Sequence, residues 1–258
     1  MCAILILQLR GLPMPSNVTA FPAPKRCAYL TIDDSPSKHT EKLVDFLNEY
    51  KVPALLFVRG ALLERNPRAI EYAIQKGMVI GNHSYAHKSA GEMEPQEWAD
   101  DLELCEHLIE AAYRRCDVER EAKYYRFPYI DRGDGVKLEQ IDKSSAAEND
   151  KTQVPQDYLH EQHFYQPFKR LPPGYPKRAH DCLYTYTARD WMLNDKHRGQ
   201  HEIKTRDDLI ARAEEDMQNW PANYNQVILL HDQDGMVDDA IALVQWYLDA
   251  GVEFLDFV

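Results

Sequence analysis

The chain has 258 residues, 44% hydrophobic and 28% charged, with a formal net charge of -12 at pH 7. That length buries a sizeable core, as one large α/β domain or two small ones, and the composition excludes a disordered, collagenous or disulfide-dense protein. An acidic chain without clustered Lys and Arg argues against nucleic acid as a partner and favours a neutral or cationic one.

Residues 1–26 read as an N-terminal extension. Its apolar run at 4–9 is short and has no basic residue before it, unlike a secretory signal, and no stretch of the chain is long enough to span a bilayer. The five cysteines (Cys2, Cys27, Cys105, Cys116, Cys182) are scattered without a Cys-x-x-Cys pair, which points to a reducing, cytoplasmic setting. Apolar runs at 27–32, 54–58, 78–81, 124–127, 183–187, 227–230 and 254–258 read as buried strands. Helical patterns lie between them. Residues 40–50 set Leu43, Val44, Phe46 and Leu47 on one face; Pro67 opens a second helix that Gly77 closes. Pro95 begins a third, with Trp98, Leu102, Cys105, Leu108 and Ile109 at helical spacing, and 207–220 and 237–250 supply two more. Such βα alternation predicts a mainly parallel sheet wrapped by helices, either open and doubly wound or an incomplete barrel.

Segment 131–182 breaks the rhythm, being rich in Pro, Tyr and His with little periodicity. Its aromatics (Tyr158, Phe164, Tyr165, Phe168, Tyr175) offer a platform for sugar rings, or else pack the insertion onto the domain.

Two fragments carry most of the chemistry: Thr31-Ile32-Asp33-Asp34-Ser35-Pro36 and Asn82-His83-Ser84-Tyr85-Ala86-His87. One carboxylate and two imidazoles hold a divalent metal, and the second carboxylate stays beside it as a base. Asp33 and Asp34 alternate faces if the strand runs through them, so one ligates and the other stays free. His83 and His87 share a face if their segment is helical. Read singly, Asp-Asp-Ser-Pro is better taken as a turn or helix cap ahead of 40–50. Arg126-Phe127-Pro128-Tyr129, Asp190-Trp191 and Leu229-Leu230-His231 end the next strands, and each also has a plain explanation as an ion pair, a helix start or a satisfied His. Their joint occurrence at successive strand ends is what the plain explanations do not account for.

In order and spacing, these five fragments resemble the polysaccharide deacetylase (NodB homology) family, carbohydrate esterase family 4, from about Tyr29 to His231. The run from Val52 to Gly60 is similar to that family's second strand. The resemblance implies a single catalytic domain over 1–258, a distorted (β/α)7 barrel with a long insertion after the fourth strand. It also implies metal-dependent removal of acetyl groups from a poly- or oligosaccharide. Asp34, His83 and His87 would bind the ion, zinc or a similar divalent metal such as cobalt. Asp33 would be the general base, oriented by Arg126, and His231 the general acid, kept protonated by Asp190. Leu229 and Trp191 would line the acetyl pocket, and the backbone N–H of Tyr129 would help hold the oxyanion.

Three features depart from the family pattern. Ser35 stands at the usual Gly, where a positive φ would strain it; Thr187 stands where an Asp often precedes the fourth fragment; and the insertion is long. A proton donor at His231 favours N-acetyl groups of a chitin-type or peptidoglycan-type glycan as substrate. The alternatives are O-acetyl groups of xylan, an inactive saccharide-binding protein that keeps the ion, and an iron oxygenase with two His and one carboxylate. Oligomeric state is not legible.

Overall fold

Strand β1 (Arg26–Ser35) is the axis of the sheet, and it is buried at every residue from Ala28 onward. A near-continuous apolar run suits a parallel strand covered on both faces, and its polar member Thr31 donates its hydroxyl to the Ile228 carbonyl at 2.6 Å. Strands β2 (Ala54–Val58) and β5 (Gln226–His231) flank β1 in parallel. Outside them lie β3 (Val79–Asn82) and the two-residue β4 (Tyr186–Thr187), giving the order β3-β2-β1-β5-β4. Strand β6 (Val252–Phe254) pairs with the start of β1. The computed structural model describes residues 25–135, 150–176 and 178–257, so nearly all of the expected N-terminal extension and the middle of the insertion lie outside the described residues.

The strand expected at 124–127 is reduced to an isolated bridge between Asn82 and Tyr125. Asn82 N–H donates to the Tyr124 carbonyl at 2.8 Å, and Arg126 N–H to the Asn82 carbonyl at 3.0 Å. Cys182 N–H then reaches the Tyr125 carbonyl at 2.7 Å and Thr185 N–H the Val227 carbonyl at 3.0 Å. The named strands are therefore not joined all round by ladders; on this side single backbone bonds take their place, as an incomplete, distorted barrel allows. The strand expected at 254–258 begins earlier, directly after Gly251 at φ 80, because Val252 fills the main core while Leu255 and Phe257 pack around Tyr29.

Helices α1 (Thr40–Glu49), α3 (Pro67–Gln75) and α4 (Pro95–Cys116) pack along one flank, and α1 also meets α7 (Val237–Asp249), which touches α6 (Arg206–Gln218). The apolar faces read for α1 and α4 are the buried ones: Leu43, Val44 and Leu47, and Trp98, Leu102, Cys105 and Ile109. Thr205 and Asp208 form a capping box at the start of α6. Two helices have too little periodicity to be read from sequence. One is the six-residue α2 (Gly60–Arg65); the other is α5 (Asp150–Glu161), interrupted by Pro155 and exposing Val154 while burying Leu159. None of the helices among the described residues is long and apolar enough to cross a membrane.

The insertion is anchored at its root by Asp131, which is fully buried. Its carboxylate accepts from the Ser89 hydroxyl and from the backbone N–H groups of Gly91 (2.9 Å), Gly133 (3.0 Å) and Gly135 (2.9 Å). A Cβ on Gly91 would lie 2.6 Å from the Gly135 nitrogen, so only glycine permits this approach. The insertion's aromatics are packing residues rather than a platform. Phe164 and Phe168 are buried in separate clusters, Tyr175 donates to the Leu183 carbonyl at 2.9 Å, Tyr158 abuts Trp98, and Tyr165 alone of the five is exposed.

Trp98 joins α4 to this region. It stacks on Phe127 at 5.6 Å between centroids and donates Nε1–H to the Tyr125 hydroxyl at 3.0 Å. Trp98→Ala is expected to destabilise the protein by about 3–5 kcal/mol, read as a lower urea midpoint with an unchanged slope.

Candidate active site

Strand register assembles the rim. Asp33 on β1 lies opposite His231 on β5, and Val58 on β2 opposite Asn82 on β3. Beyond the strands, Asp232 N–H donates to the Asp33 carbonyl (2.8 Å), His83 N–H to Val58 (2.9 Å) and Arg59 N–H to Ser35 (2.9 Å). Four strand ends thus meet at the C-terminal edge of a parallel sheet, where α/β folds hold their ligands.

Between Ile32 and Ser35 the register of β1 against β2 shifts, and Asp34 takes a left-handed φ of 66. The strain anticipated at Ser35 does not arise: the positive φ belongs to Asp34, a residue type that tolerates it, and Ser35 is fully buried without one. The two neighbouring carboxylates consequently find different partners. Asp33 accepts from Arg126 Nη1 at 2.9 Å and has its other oxygen 3.6 Å from His83 Nε2. Asp34 accepts from Gln233 Nε2 at 2.6 Å and has its other oxygen 3.2 Å from His87 Nε2.

The segment bearing His83 and His87 is a hooked loop and not the helix their spacing invites, with Ser84 at φ 64 and His87 at φ 56. Side-chain acceptors capture the N–H groups a helix needs for itself. Ser84 N–H goes to Asn82 Oδ1, His87 N–H to the Ser84 hydroxyl, and the N–H groups of Tyr85 and Ala86 to the Asp101 carboxylate on α4, all within 2.8–2.9 Å. The hook still brings the two imidazoles to 5.0 Å between centroids. Gly60 permits α2 to start against it: a Cβ there would lie 2.6 Å from Tyr85 Cδ2 and 3.0 Å from its Cα.

Asp34, His83 and His87 offer ligand atoms all within 4.8 Å of one another. His83 uses Nδ1–H on the Arg126 carbonyl at 2.8 Å, which turns Nε2 toward the carboxylates. Burial lowers the His87 imidazole first, His83 adds to this, and together they outweigh Asp34, bringing it to about 3 and leaving the ring neutral. Burial pushes the Asp34 carboxyl up, but His87, His231, His83 and the Gln233 amide outweigh it and hold it at about 2. The Asp34 oxygen facing His87 is buried and accepts no hydrogen bond. An anionic oxygen converging with two imidazole nitrogens fits a divalent cation, and this donor set suits zinc or a related transition metal.

Arg126 is fully buried. Besides Asp33, it donates to the Thr31 hydroxyl (2.8 Å) and the Cys182 carbonyl (2.6 Å), and it lies 4.4 Å from the Phe57 ring centroid. Across the rim, Asp190 accepts from His231 twice, at Nδ1 (2.9 Å) and at the backbone N–H (2.6 Å). Burial by itself depresses the His231 imidazole; Asp190, with Asp34 and Asp33 behind it, reverses this and raises it to about 9. Tyr129, at φ 58 and half exposed, sets its ring 4.8 Å from that of His87. Trp191 follows Asp190 in a short 3-10 turn with its ring against His197, and Leu229 is buried on β5 in register with Thr31 and Thr187.

Sequence reasoning missed three residues here. Gln233 and Arg59 (3.8 Å) contact Asp34. Asp232 is buried and accepts from the Thr40 hydroxyl at 2.6 Å and Ser37 N–H at 3.3 Å, tying the loop after β1 to the end of β5. Their signal was the polar run Asp232-Gln233-Asp234 directly after an apolar strand, and Arg59 ahead of a glycine.

Residues 21–143 match the family model described as Polysaccharide deacetylase. A chitooligosaccharide deacetylase of Bradyrhizobium sp. (strain ANU 289) is 32% identical over 88 residues, 34% of this chain and 40% of that protein. A chitin deacetylase of Colletotrichum lindemuthianum is 36% identical over 106 residues, 39% of this chain and 41% of that protein. Over residues 21–143 this chain is thus similar to the polysaccharide deacetylase family. It spans about two fifths of the length of those two relatives. Its fold is that of the polysaccharide deacetylase Bc1974 from Bacillus cereus, with a TM-score of 0.61 at 21% identity, covering 91% of this chain and 93% of that one. Polysaccharide deacetylases are in general metal-dependent, and the Asp34–His83–His87 group is where this chain offers a site.

The Asp190–His231 pair stabilises the protonated imidazole. Its contribution to folding is fully present below the ordinary pKa of 6.5 and is lost as pH rises through about 9. Replacement Asp190→Asn leaves burial unopposed at close range and is expected to lower the His231 pKa by more than about one unit, read by NMR titration of the imidazole.

Proposed function

We propose that this protein is a metal-dependent hydrolase that removes acetyl groups, N-acetyl in particular, from a chitin-type or peptidoglycan-type glycan. The observation that carries the reading is the division of labour among the rim carboxylates. Asp34 faces His83 and His87, Asp33 stands beside that group held by Arg126, and Asp190 holds a protonated His231 opposite. The names of the chitooligosaccharide and chitin deacetylases among its relatives support the substrate class.

A divalent ion, zinc by preference, held by Asp34, His83 and His87 supplies Lewis acidity for the acetyl carbonyl and eases deprotonation of water. Asp33 takes the proton from the attacking water, with Arg126 fixing the carboxylate through one oxygen so that the other is free to accept. The Tyr129 N–H donates to the developing oxyanion, while Leu229 and Trp191 bound the acetyl methyl. His231, charged at neutral pH, donates its proton to the departing nitrogen, which is too basic to leave as an anion. A reducing, cytoplasmic setting belongs to the same proposal, supported by four cysteines that are free among the described residues.

Acetate release from chitin oligosaccharides and peptidoglycan fragments, before and after chelation and with zinc restored, tests the assignment. Saccharide binding without acetate under any metal overturns it. Asp33→Asn is expected to lower kcat by about 10²-fold or more at unchanged zinc content per chain; surviving turnover removes Asp33 from the base role. His231→Ala is expected to reduce amide hydrolysis at least about tenfold more than hydrolysis of activated aryl esters, whose leaving groups need no proton. Equal losses on both substrates contradict the acid role.

A further inference from the structure

The insertion contains a second polar site, formed by residues outside the rim group. A cavity of about 210 Å³ is lined by residues of α5, by Arg132 and by the strap 178–180. Among the described residues its charged lining is Arg132 and Arg178 against Asp157, which already accepts from Gln153 Nε2 at 2.6 Å, and His160 and His180 line it as well. Arg132 is 3% exposed. Its Nη2 donates to Asp181 at 3.0 Å, while Nε and Nη1, like the second Asp181 oxygen, are buried without a hydrogen-bond partner among the described residues. Gln156 supports the same corner, donating to that Asp181 oxygen at 2.9 Å and accepting His180 N–H at 2.7 Å. The His160 and His180 rings lie 4.7 Å apart.

A buried guanidinium with two of its three nitrogens unpaired is costly unless something accepts from them. We propose that this cavity binds a compact oxyanion, a carboxylate or a phosphoryl group, on Arg132, with the Arg178 guanidinium and ring nitrogens of the two imidazoles as further donors around it. Charge-assisted hydrogen bonds from arginine to such oxygens are among the stronger polar contacts, and the cavity has room for one small acidic molecule or one acidic substituent. The site stands independently of the deacetylase reading. It shares scaffold with the rim through Asp181, whose neighbour Cys182 gives its carbonyl to Arg126 at 2.6 Å.

Calorimetric titration of the full chain with inorganic phosphate and, separately, with glucuronate at constant ionic strength tests the proposal. Saturable binding of one equivalent is expected for at least one probe. Tighter binding of phosphate identifies a phosphoryl ligand, and tighter binding of glucuronate an acidic sugar. Arg132→Gln is expected to weaken binding at least about tenfold. The exposed pair Arg178→Ser with His160→Ala should do the same while leaving the thermal midpoint unchanged, and this variant decides if Arg132→Gln does not fold. Absence of saturable heat with both probes, or unchanged affinity in either folded variant, overturns the proposal.

Discussion

The buried ion pair between Arg126 and Asp33 is the constraint on which the rim depends. Arg126 has no exposed surface, and its donors reach β1 at Thr31 and Asp33 and the strap at Cys182, while its plane lies over Phe57 of β2. Its own carbonyl receives His83 Nδ1–H. One residue thereby sets the position of a carboxylate, the tautomer of an imidazole and the seating of the irregular side of the sheet. Removing one partner of such a pair leaves the other charge buried and unmatched, which typically costs about 3–5 kcal/mol, so the arrangement has little freedom to drift.

Around that pair, like residues are driven to unlike states. Asp33 and Asp34 are adjacent in sequence, yet a left-handed Asp34 separates them into an arginine-bound carboxylate and one turned to imidazoles. His87 is neutralised by burial and by His83, whereas His231, equally enclosed, is charged because Asp190 grips it at two atoms. Environments that push similar groups apart let one small volume hold a lone-pair donor and an acid together.

The regular elements were legible because their periodicities were strong: the helices opened by Pro67 and Pro95, the runs at 54–58 and 227–230, and the placement of Asp33, His83 and His231 at or just after strand ends. The convergence of Asp34, His83 and His87 was legible from residue type and order. What escaped reading was local hydrogen bonding. The hook at 83–87 exists because Asn82, Ser84 and Asp101 take backbone N–H groups, and no pattern within five residues reports an acceptor on α4. The positive φ at Asp34 was misplaced onto Ser35 for the same reason, since backbone twist at a register shift depends on the neighbouring strand. Gln233 and Arg59 were missed because they contact Asp34 from outside the Asp34–His83–His87 group.

Asp131 has a consequence for how this scaffold changes over time. Its carboxylate closes a knot between the loop that follows His87 and the root of the insertion, and the last donor in that knot is Gly135. A change in chain length beyond Gly135 leaves the donors of that knot in place, and lengthening a flexible loop carries only a slowly growing entropic cost. Variation in the insertion is therefore tolerated past its entry at the Asp131 clasp, provided its exit at Cys182 still meets Arg126 behind the rim.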